Sequence, residues 1–172
     1  FMLIRKPDGT FVAIDGRETA PQKASRDMFL RDGKADPDLS RTGALAIGVP
    51  GALAAYELAI REHGNIDLAE HLGQAAAIAE KGFALDKAYL RRLGQAVEKL
   101  RQFPDSARIF LDPDGNAWPS GHSLKQPDLA RSYRKIARHT ADWFYRGPFA
   151  LKTEEWMLAN GGLITRTDLA AY

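Results

Sequence analysis

The side chain whose position best suits chemistry is Arg17, in the segment "FVAIDGRETAP" from Phe11 to Pro21. An apolar, strand-like run ends at Ile14, and the arginine follows within three residues. A guanidinium presents a rigid planar fork that grips a carboxylate through two parallel hydrogen bonds. Loops at strand ends are where many binding groups lie. Position alone leaves two interpretations open: a carboxylate-binding group, or the commoner case of a solvated loop charge.

Other familiar sets of catalytic or metal-binding residues do not emerge from the sequence. The spacing of the four histidines matches no metal-binding motif, and the chain has no cysteine for thiolate or disulfide chemistry. The segment "SGHS" (120–123) lacks a nucleophile elbow, and "GVPG" (48–51) lacks the pattern of a phosphate loop. We therefore expect no metal site and no complete catalytic set within these residues. The four histidines are His63, His71, His122 and His139.

The composition is that of a globular protein and disfavours nucleic-acid-binding and membrane-spanning classes. The 172 residues are 45% hydrophobic and 27% charged, which is enough apolar material for a real core. The 24 basic and 22 acidic side chains leave a net charge of +2, and this near-balance disfavours a nucleic-acid partner. The one basic run, Arg131 to Arg138, has helical spacing and fits a solvated helix face. No apolar run approaches the length of a membrane span.

The order of elements predicts an α+β protein that is mainly α-helical. The runs "FMLI" and "FVAI" flank the turn residues Pro7-Asp8-Gly9, which predicts a β-hairpin within residues 1–16. Both runs are continuously apolar, so we expect further strands outside this chain to flank the hairpin. Residues 20–172 are expected to be mostly helical, and the whole chain to be a single partial domain of a longer protein. Predicted helices are "APQKASRDMFL", "GVPGALAAYELAIREHG", "DLAEHLGQAAAIAEKG", "DKAYLRRLGQAVEKLRQF", "QPDLARSYRKIARHTADWFYRG" and "PFALKTEEWMLANGG", with a short last helix behind a capping box of Thr165 and Asp168.

An ordered set of segments resembles the large subunit of γ-glutamyltransferases, also called γ-glutamyltranspeptidases or glutathione hydrolases. The resemblance covers nearly the whole chain, and its most specific parts are "RETAP" and "NGGLITRTDLAAY". The stretch from Arg91 to Ser120 contributes little to it. The segments, in order, are "FMLIR", "AIDGRETAP", "MFLRDG", "GVPGALAAYELA", "AEKGFALD", "QPDLARSYRKIA", "FYRGPFA" and "NGGLITRTDLAAY".

The resemblance implies a fragment of an αββα N-terminal-nucleophile hydrolase, here a β-hairpin plus a helical lobe. Such enzymes cleave their own precursor, and the small subunit then begins with a nucleophilic threonine whose α-amine can act as base. The implied reaction is transfer of the γ-glutamyl group of glutathione or similar donors to water, amino acids or peptides, without a cofactor. By position, Arg17 would bind the α-carboxylate of the γ-glutamyl group, and Glu18 would support the arginine and its loop. Family members are usually periplasmic or secreted.

The same resemblance implies that the catalytic threonine lies outside this chain, in a small-subunit partner. We therefore expect the 172 residues alone to have no transferase or hydrolase activity. Two alternatives remain open at this point. One is a sister acylase of the same superfamily, such as a cephalosporin acylase or a poly-γ-glutamate processing enzyme. The other is a non-catalytic helical binding module.

Overall fold

The computed structural model describes residues 1–172, which form eight helices and six short strands. This mainly helical architecture with small sheets agrees with the prediction. No helix has the length and apolar character needed to cross a membrane. The strands are β1 Met2–Arg5, β2 Phe11–Ile14, β3 Leu30–Arg31, β4 Lys34–Ala35, β5 Phe83–Ala84 and β6 Ser123–Leu124. The helices are α1 Ala52–His63, α2 Leu68–Lys81, α3 Lys87–Arg101, α4 Pro104–Phe110, α5 Pro127–His139, α6 Asp142–Tyr145, α7 Pro148–Ala159 and α8 Arg166–Ala170.

The first two strands, β1 and β2, pair antiparallel with Met2 opposite Ile14 and Arg5 opposite Phe11. Their turn is closed by the backbone bond from Lys6 N–H to Thr10 C=O at 2.8 Å. One face of the pair packs its apolar side chains on α1, at Ala55 and Ala59. The opposite face stays open in this chain: Phe1, Leu3 and Phe11 are 86%, 69% and 62% exposed. Arg17 lies three residues beyond the end of β2, whose last residue, Ile14, is buried against α1.

The chain divides into two compact units, residues 1–68 with 138–172, and residues 69–137. The core of the first unit is closed over by α6, α7 and α8, which contact one another. Its partly buried neighbours include Phe144 and Tyr172. The buried residues of this core are Ala44, Val49, Ala141, Tyr145, Ala150, Met157, Ile164 and Leu169.

In the second unit, α2 and α5 contact each other through small buried side chains. Ala76, Ala79 and Ala130 are buried together, and Tyr133 packs against them. Arg134 grips the carboxylate of Glu80 with two bonds of 3.0 and 2.6 Å beside this contact. β5 pairs with β6, with Phe83 opposite Leu124. Alanine packing and a bidentate ion pair together hold the two helices in register.

The helix predicted for "APQKASRDMFL" does not form. Residues 21–28 instead make a series of turns, as in the bonds from Ala24 N–H to Pro21 C=O and from Leu30 N–H to Asp27 C=O. After them, β3 and β4 pair where a loop was predicted. Their two-residue turn has φ of 52° at Asp32 and 76° at Gly33. An Asp-Gly pair with positive φ at both positions is a favoured hairpin turn, and it outweighs a weak helical pattern.

Three smaller differences concern helix ends. α1 begins at Ala52, so Pro50 precedes the helix and does not lie in its first turn. α4 was not predicted; it starts with Pro104 at its first position, a favoured place for proline. The predicted long helix from Gln126 is interrupted at Thr140, whose φ is 61°, so α5 and α6 are separate. The capping box of Thr165 and Asp168 is confirmed at the start of α8.

Replacing Gly162 and Gly94 with alanine should change the stability of the protein in opposite directions. A Cβ at Gly162 would lie 2.3 Å from Sδ of Met157 and 3.0 Å from Cβ of Ala44, whereas at Gly94 in α3 it would meet no atom within 4 Å. We expect Gly162→Ala to destabilise the protein by about 1–3 kcal/mol through overpacking. Gly94→Ala should stabilise it by about 0.5–1 kcal/mol, because alanine favours the helix. Urea unfolding of the two variants followed by circular dichroism measures both, and shifts of equal sign would contradict the packing described.

Candidate functional site

Arg17 lies in the loop that follows β2, with a side chain that is 64% exposed. Its Nε lies 3.3 Å from Oε1 of Glu18, whose side chain is 56% exposed. An exposed pair between neighbouring residues is weak, because water competes for both charges. The contact uses Nε alone and leaves the two terminal nitrogens of the guanidinium unengaged. Those two nitrogens form an edge that can bind a carboxylate bidentately.

The backbone around Arg17, in contrast, is held firmly. The N–H of Arg17 donates to Oδ1 of Asp15 at 2.9 Å. Two residues later, Thr19 and Val49 exchange backbone hydrogen bonds of 3.1 and 2.8 Å, a short antiparallel bridge. Val49 is 1% exposed and belongs to the core of the first unit. The loop is therefore tied to the core on the carboxyl side of Arg17.

The end of the chain supplies two further ties to this loop. The Tyr172 hydroxyl donates to the backbone carbonyl of Arg17 at 2.8 Å. Oδ1 of Asp168 accepts from the backbone N–H of Gln22 at 2.7 Å. Segments far apart in sequence are thus joined by hydrogen bonds at both sides of the "RETAP" motif. The loop presents Arg17 from a backbone with few conformations available to it.

Asp168 is the one buried charged residue, 5% exposed, and its carboxylate accepts hydrogen bonds from two segments of the chain. Its second oxygen, Oδ2, accepts from the N–H and the hydroxyl of Thr165 at 2.8 and 2.6 Å. Burial raises the pKa of Asp168, but the hydrogen bonds from Thr165 and Gln22 lower it more, so the pKa lies below the ordinary 3.8. A carboxyl with a pKa depressed by folding stabilises the protein above its unfolded pKa. That stabilisation is lost as the pH falls through the folded value.

A shallow cavity of about 270 Å³ adjoins the same loop. Thr19, Gln22 and Asp168 contribute to its wall, together with Tyr172. Glu18 lies to the side, where its Cγ would be 2.8 Å from a Cβ at Gly48. Glycine at position 48 thus leaves room for the Glu18 stem. Arg17 and Glu18 do not line this cavity, which lies on the carboxyl side of their part of the loop.

The sequence predicted Arg17 and Glu18 as site residues, and this stays a prediction; the residues that hold their loop were not predicted. Asp168 was recognised as part of a capping box, whereas its bond to Gln22 spans 146 positions. The bond from Tyr172 to Arg17 spans 155 positions. No periodicity or spacing rule reports such pairs, because they depend on the tertiary fold. The only sequence clue is that "RETAP" and "NGGLITRTDLAAY" were the most specific segments.

The family model described as gamma-glutamyltranspeptidase matches residues 1–172, the whole of the chain. The chain belongs to the γ-glutamyltranspeptidase family. The glutathione hydrolase proenzyme of Escherichia coli (strain K12) is 39% identical over 173 residues, which is 100% of this chain and 30% of that protein. The crystal structure of Helicobacter pylori γ-glutamyltranspeptidase superposes with a TM-score of 0.94 at 35% identity, covering 99% of this chain and 49% of that one.

An acylase is also similar to this member of the γ-glutamyltranspeptidase family. The acylase ACY 1 proenzyme of Pseudomonas sp. (strain SE83) is 37% identical over 176 residues, covering 98% of this chain and 31% of that protein. The chain thus spans about a third of the length of these curated relatives. The names of both relatives describe proenzymes.

Proposed function

We propose that this chain is part of the large subunit of an enzyme that hydrolyses γ-glutamyl amides such as glutathione and transfers the γ-glutamyl group to amino acids or peptides. The observation that carries the proposal is the free guanidinium edge of Arg17 on a loop held at several backbone positions. It occurs within a family match that spans every residue. The similar proteins named glutathione hydrolase proenzyme support the same substrate class.

In this proposal Arg17 binds the α-carboxylate of the γ-glutamyl group through its two terminal nitrogens. A bidentate pair of this kind fixes the orientation of the donor as well as adding affinity. Glu18 contacts the arginine through Nε and leaves the terminal edge open to the donor. The carboxylate end is thereby anchored, and the γ-amide lies at the far end of the glutamyl chain, where the partner subunit acts.

The attacking group comes from the small subunit that self-cleavage of the precursor generates. Its N-terminal threonine attacks the γ-amide carbonyl, with the hydroxyl proton passing to the α-amine. The C–N bond breaks, the departing amine takes the proton, and a γ-glutamyl ester remains on the threonine. Water or an acceptor amine then cleaves the ester and restores the hydroxyl. These steps need no cofactor.

The proposal also includes the fold and the location of the whole protein. The hairpin and helices are a fragment of an αββα N-terminal-nucleophile hydrolase, and the remaining precursor covers the open hairpin face with further strands. Phe1, Leu3 and Phe11 support this part of the proposal, since they are large apolar residues left exposed in this chain. The whole protein acts in the periplasm or outside the cell.

Expression of the complete precursor tests the proposal directly. We expect two polypeptides on a denaturing gel after self-cleavage, and release of p-nitroaniline from γ-glutamyl-p-nitroanilide by the processed protein. The chain 1–172 alone should release none, because it lacks the nucleophile. Turnover by the isolated chain, or an intact protein that neither cleaves itself nor acts on the anilide, would overturn the proposal.

A second candidate is an acylase that acts on acyl-lactam substrates, and the similarity to the ACY 1 proenzyme favours it. Arg17 could bind a carboxylate in either candidate, and the two candidates differ in whether the donor also carries an α-amine. A γ-glutamyl donor carries an α-carboxylate beside an α-amine, whereas a glutaryl group keeps a carboxylate at the same position and lacks the amine. The ratio of kcat/KM for glutathione to that for a glutaryl-lactam, measured on the processed protein, separates them. A ratio below one would favour the acylase.

A further inference from the structure

We propose that Tyr172 is a positioning residue that aims Arg17 at the carboxylate of its donor, an inference that rests on the proposed function. Its hydroxyl donates to the carbonyl oxygen of Arg17 at 2.8 Å. That oxygen belongs to the peptide unit that joins Arg17 to Glu18, the two residues of the carboxylate site. The bond therefore fixes the orientation of the peptide plane from which both side chains extend.

Tyr172 can do this because its own ring is held. It stacks on Tyr145 with ring centroids 5.9 Å apart and an angle of 10°. Tyr145 is 4% exposed and is anchored in turn: its hydroxyl donates to the carbonyl of Pro50 at 2.9 Å and accepts from the N–H of Ala54 at 3.1 Å. The rigidity of the core thus extends through two stacked rings to the backbone of Arg17.

Gly51 is part of the same arrangement. A Cβ placed there would lie 1.7 Å from the Tyr172 hydroxyl oxygen and 2.0 Å from Cζ of the same ring. Any larger residue at position 51 must displace the hydroxyl from its place. Gly51 has an ordinary φ of −106°, so the glycine is required by this close approach and not by the backbone angle.

The direction of the guanidinium depends on this backbone, since the Arg17 side chain has only the exposed Glu18 contact to guide it. Without the Tyr172 bond, Arg17 and its loop would have to be ordered when the donor binds. That cost falls on the binding of the ground state and transition state alike, so it raises KM and leaves kcat unchanged. A purely structural role would instead lower the amount or the stability of active protein.

The test uses the intact, processed protein, with γ-glutamyl-p-nitroanilide as the donor. Tyr172→Phe should raise KM about fivefold, the effect of one ordinary hydrogen bond, with kcat unchanged. The matched control is Tyr56→Phe, at a tyrosine of α1 that is 51% exposed, and this substitution should leave KM unchanged. Gly51→Ala should raise KM in the same direction, because it displaces the hydroxyl without removing it.

A double-mutant cycle with Arg17→Lys identifies the residue through which Tyr172 acts. Tyr172→Phe should lower kcat/KM about fivefold in the native background and have little effect in the Arg17→Lys background. An equal effect in both backgrounds, or an unchanged KM in Tyr172→Phe, overturns the inference while the proposed function stands. An Arg17→Lys protein with native KM overturns the proposed function itself. Failure of Tyr172→Phe to mature, with Gly51→Ala mature and native in KM, also overturns the inference.

Discussion

Replacing Arg17 with lysine in the intact, processed protein should raise KM for γ-glutamyl donors by about tenfold to a hundredfold. Hydrogen bonds to a charged group contribute about 1.5–3 kcal/mol, and a lysine ammonium cannot reproduce the bidentate fork. The loss affects binding of the donor before and during the reaction, so kcat should change much less than KM. Steady-state kinetics with glutathione and with γ-glutamyl-p-nitroanilide measure both constants.

The control for this substitution is Arg26→Lys, which changes an arginine in the turns that follow the Arg17 loop. Arg26 is 96% exposed, and its contact with Asp27 is 4.0 Å long. We expect native KM and kcat in that variant, because a solvated arginine and a solvated lysine are interchangeable there. If Arg17→Lys shows the same constants as Arg26→Lys, Arg17 does not bind the donor.

Asp168→Ala should destabilise the intact protein by about 3 kcal/mol or more. The substitution removes the acceptor of three donors: the N–H of Gln22, the N–H of Thr165 and the Thr165 hydroxyl. Each part-buried donor left without a partner costs about 1–3 kcal/mol. The free energy of unfolding, obtained from urea titration at neutral pH, should show this decrease, and the midpoint of thermal unfolding should fall with it.

Asp142→Ala is the matched control for the buried carboxylate. Asp142 is 68% exposed and pairs with Arg146 one helical turn away at 2.7 Å. Because an exposed pair contributes little, its removal should lower the midpoint only slightly. The midpoint of thermal unfolding of Asp168→Asn should lie between those of Asp168→Ala and Asp142→Ala, since the amide keeps one acceptor oxygen. Equal stability of Asp168→Ala and Asp142→Ala would contradict the role assigned to the buried carboxylate.

The elements that the sequence predicted well are those with strong local determinants. Asp86 accepts from the N–H of Tyr89 at the start of α3, and Thr165 with Asp168 caps α8. The hairpin of β1 and β2 follows from its Pro-Asp-Gly turn. Each of these features depends on residues within four positions of one another, so a linear pattern contains the whole signal.

The features that the sequence predicted wrongly or missed also have physical explanations. The segment after Ala20 has few apolar positions at helical spacing, and the Asp32-Gly33 turn that follows prefers a hairpin. At the candidate site, the Arg17 motif is visible in the sequence, whereas the hydrogen bonds that hold its loop come from Tyr172, Asp168 and Val49 in distant parts of the chain. Tertiary contacts of this kind decide whether a loop arginine is a solvated charge or a prepared binding group.

The most direct test of the central claim is a crystal structure of the intact, processed protein with L-glutamate bound. Both terminal nitrogens of Arg17 should lie about 2.7–2.9 Å from the α-carboxylate oxygens, with the Tyr172 hydroxyl still donating to the Arg17 carbonyl. A glutamate held by other groups, with the Arg17 guanidinium turned away and paired to Glu18 alone, would contradict it.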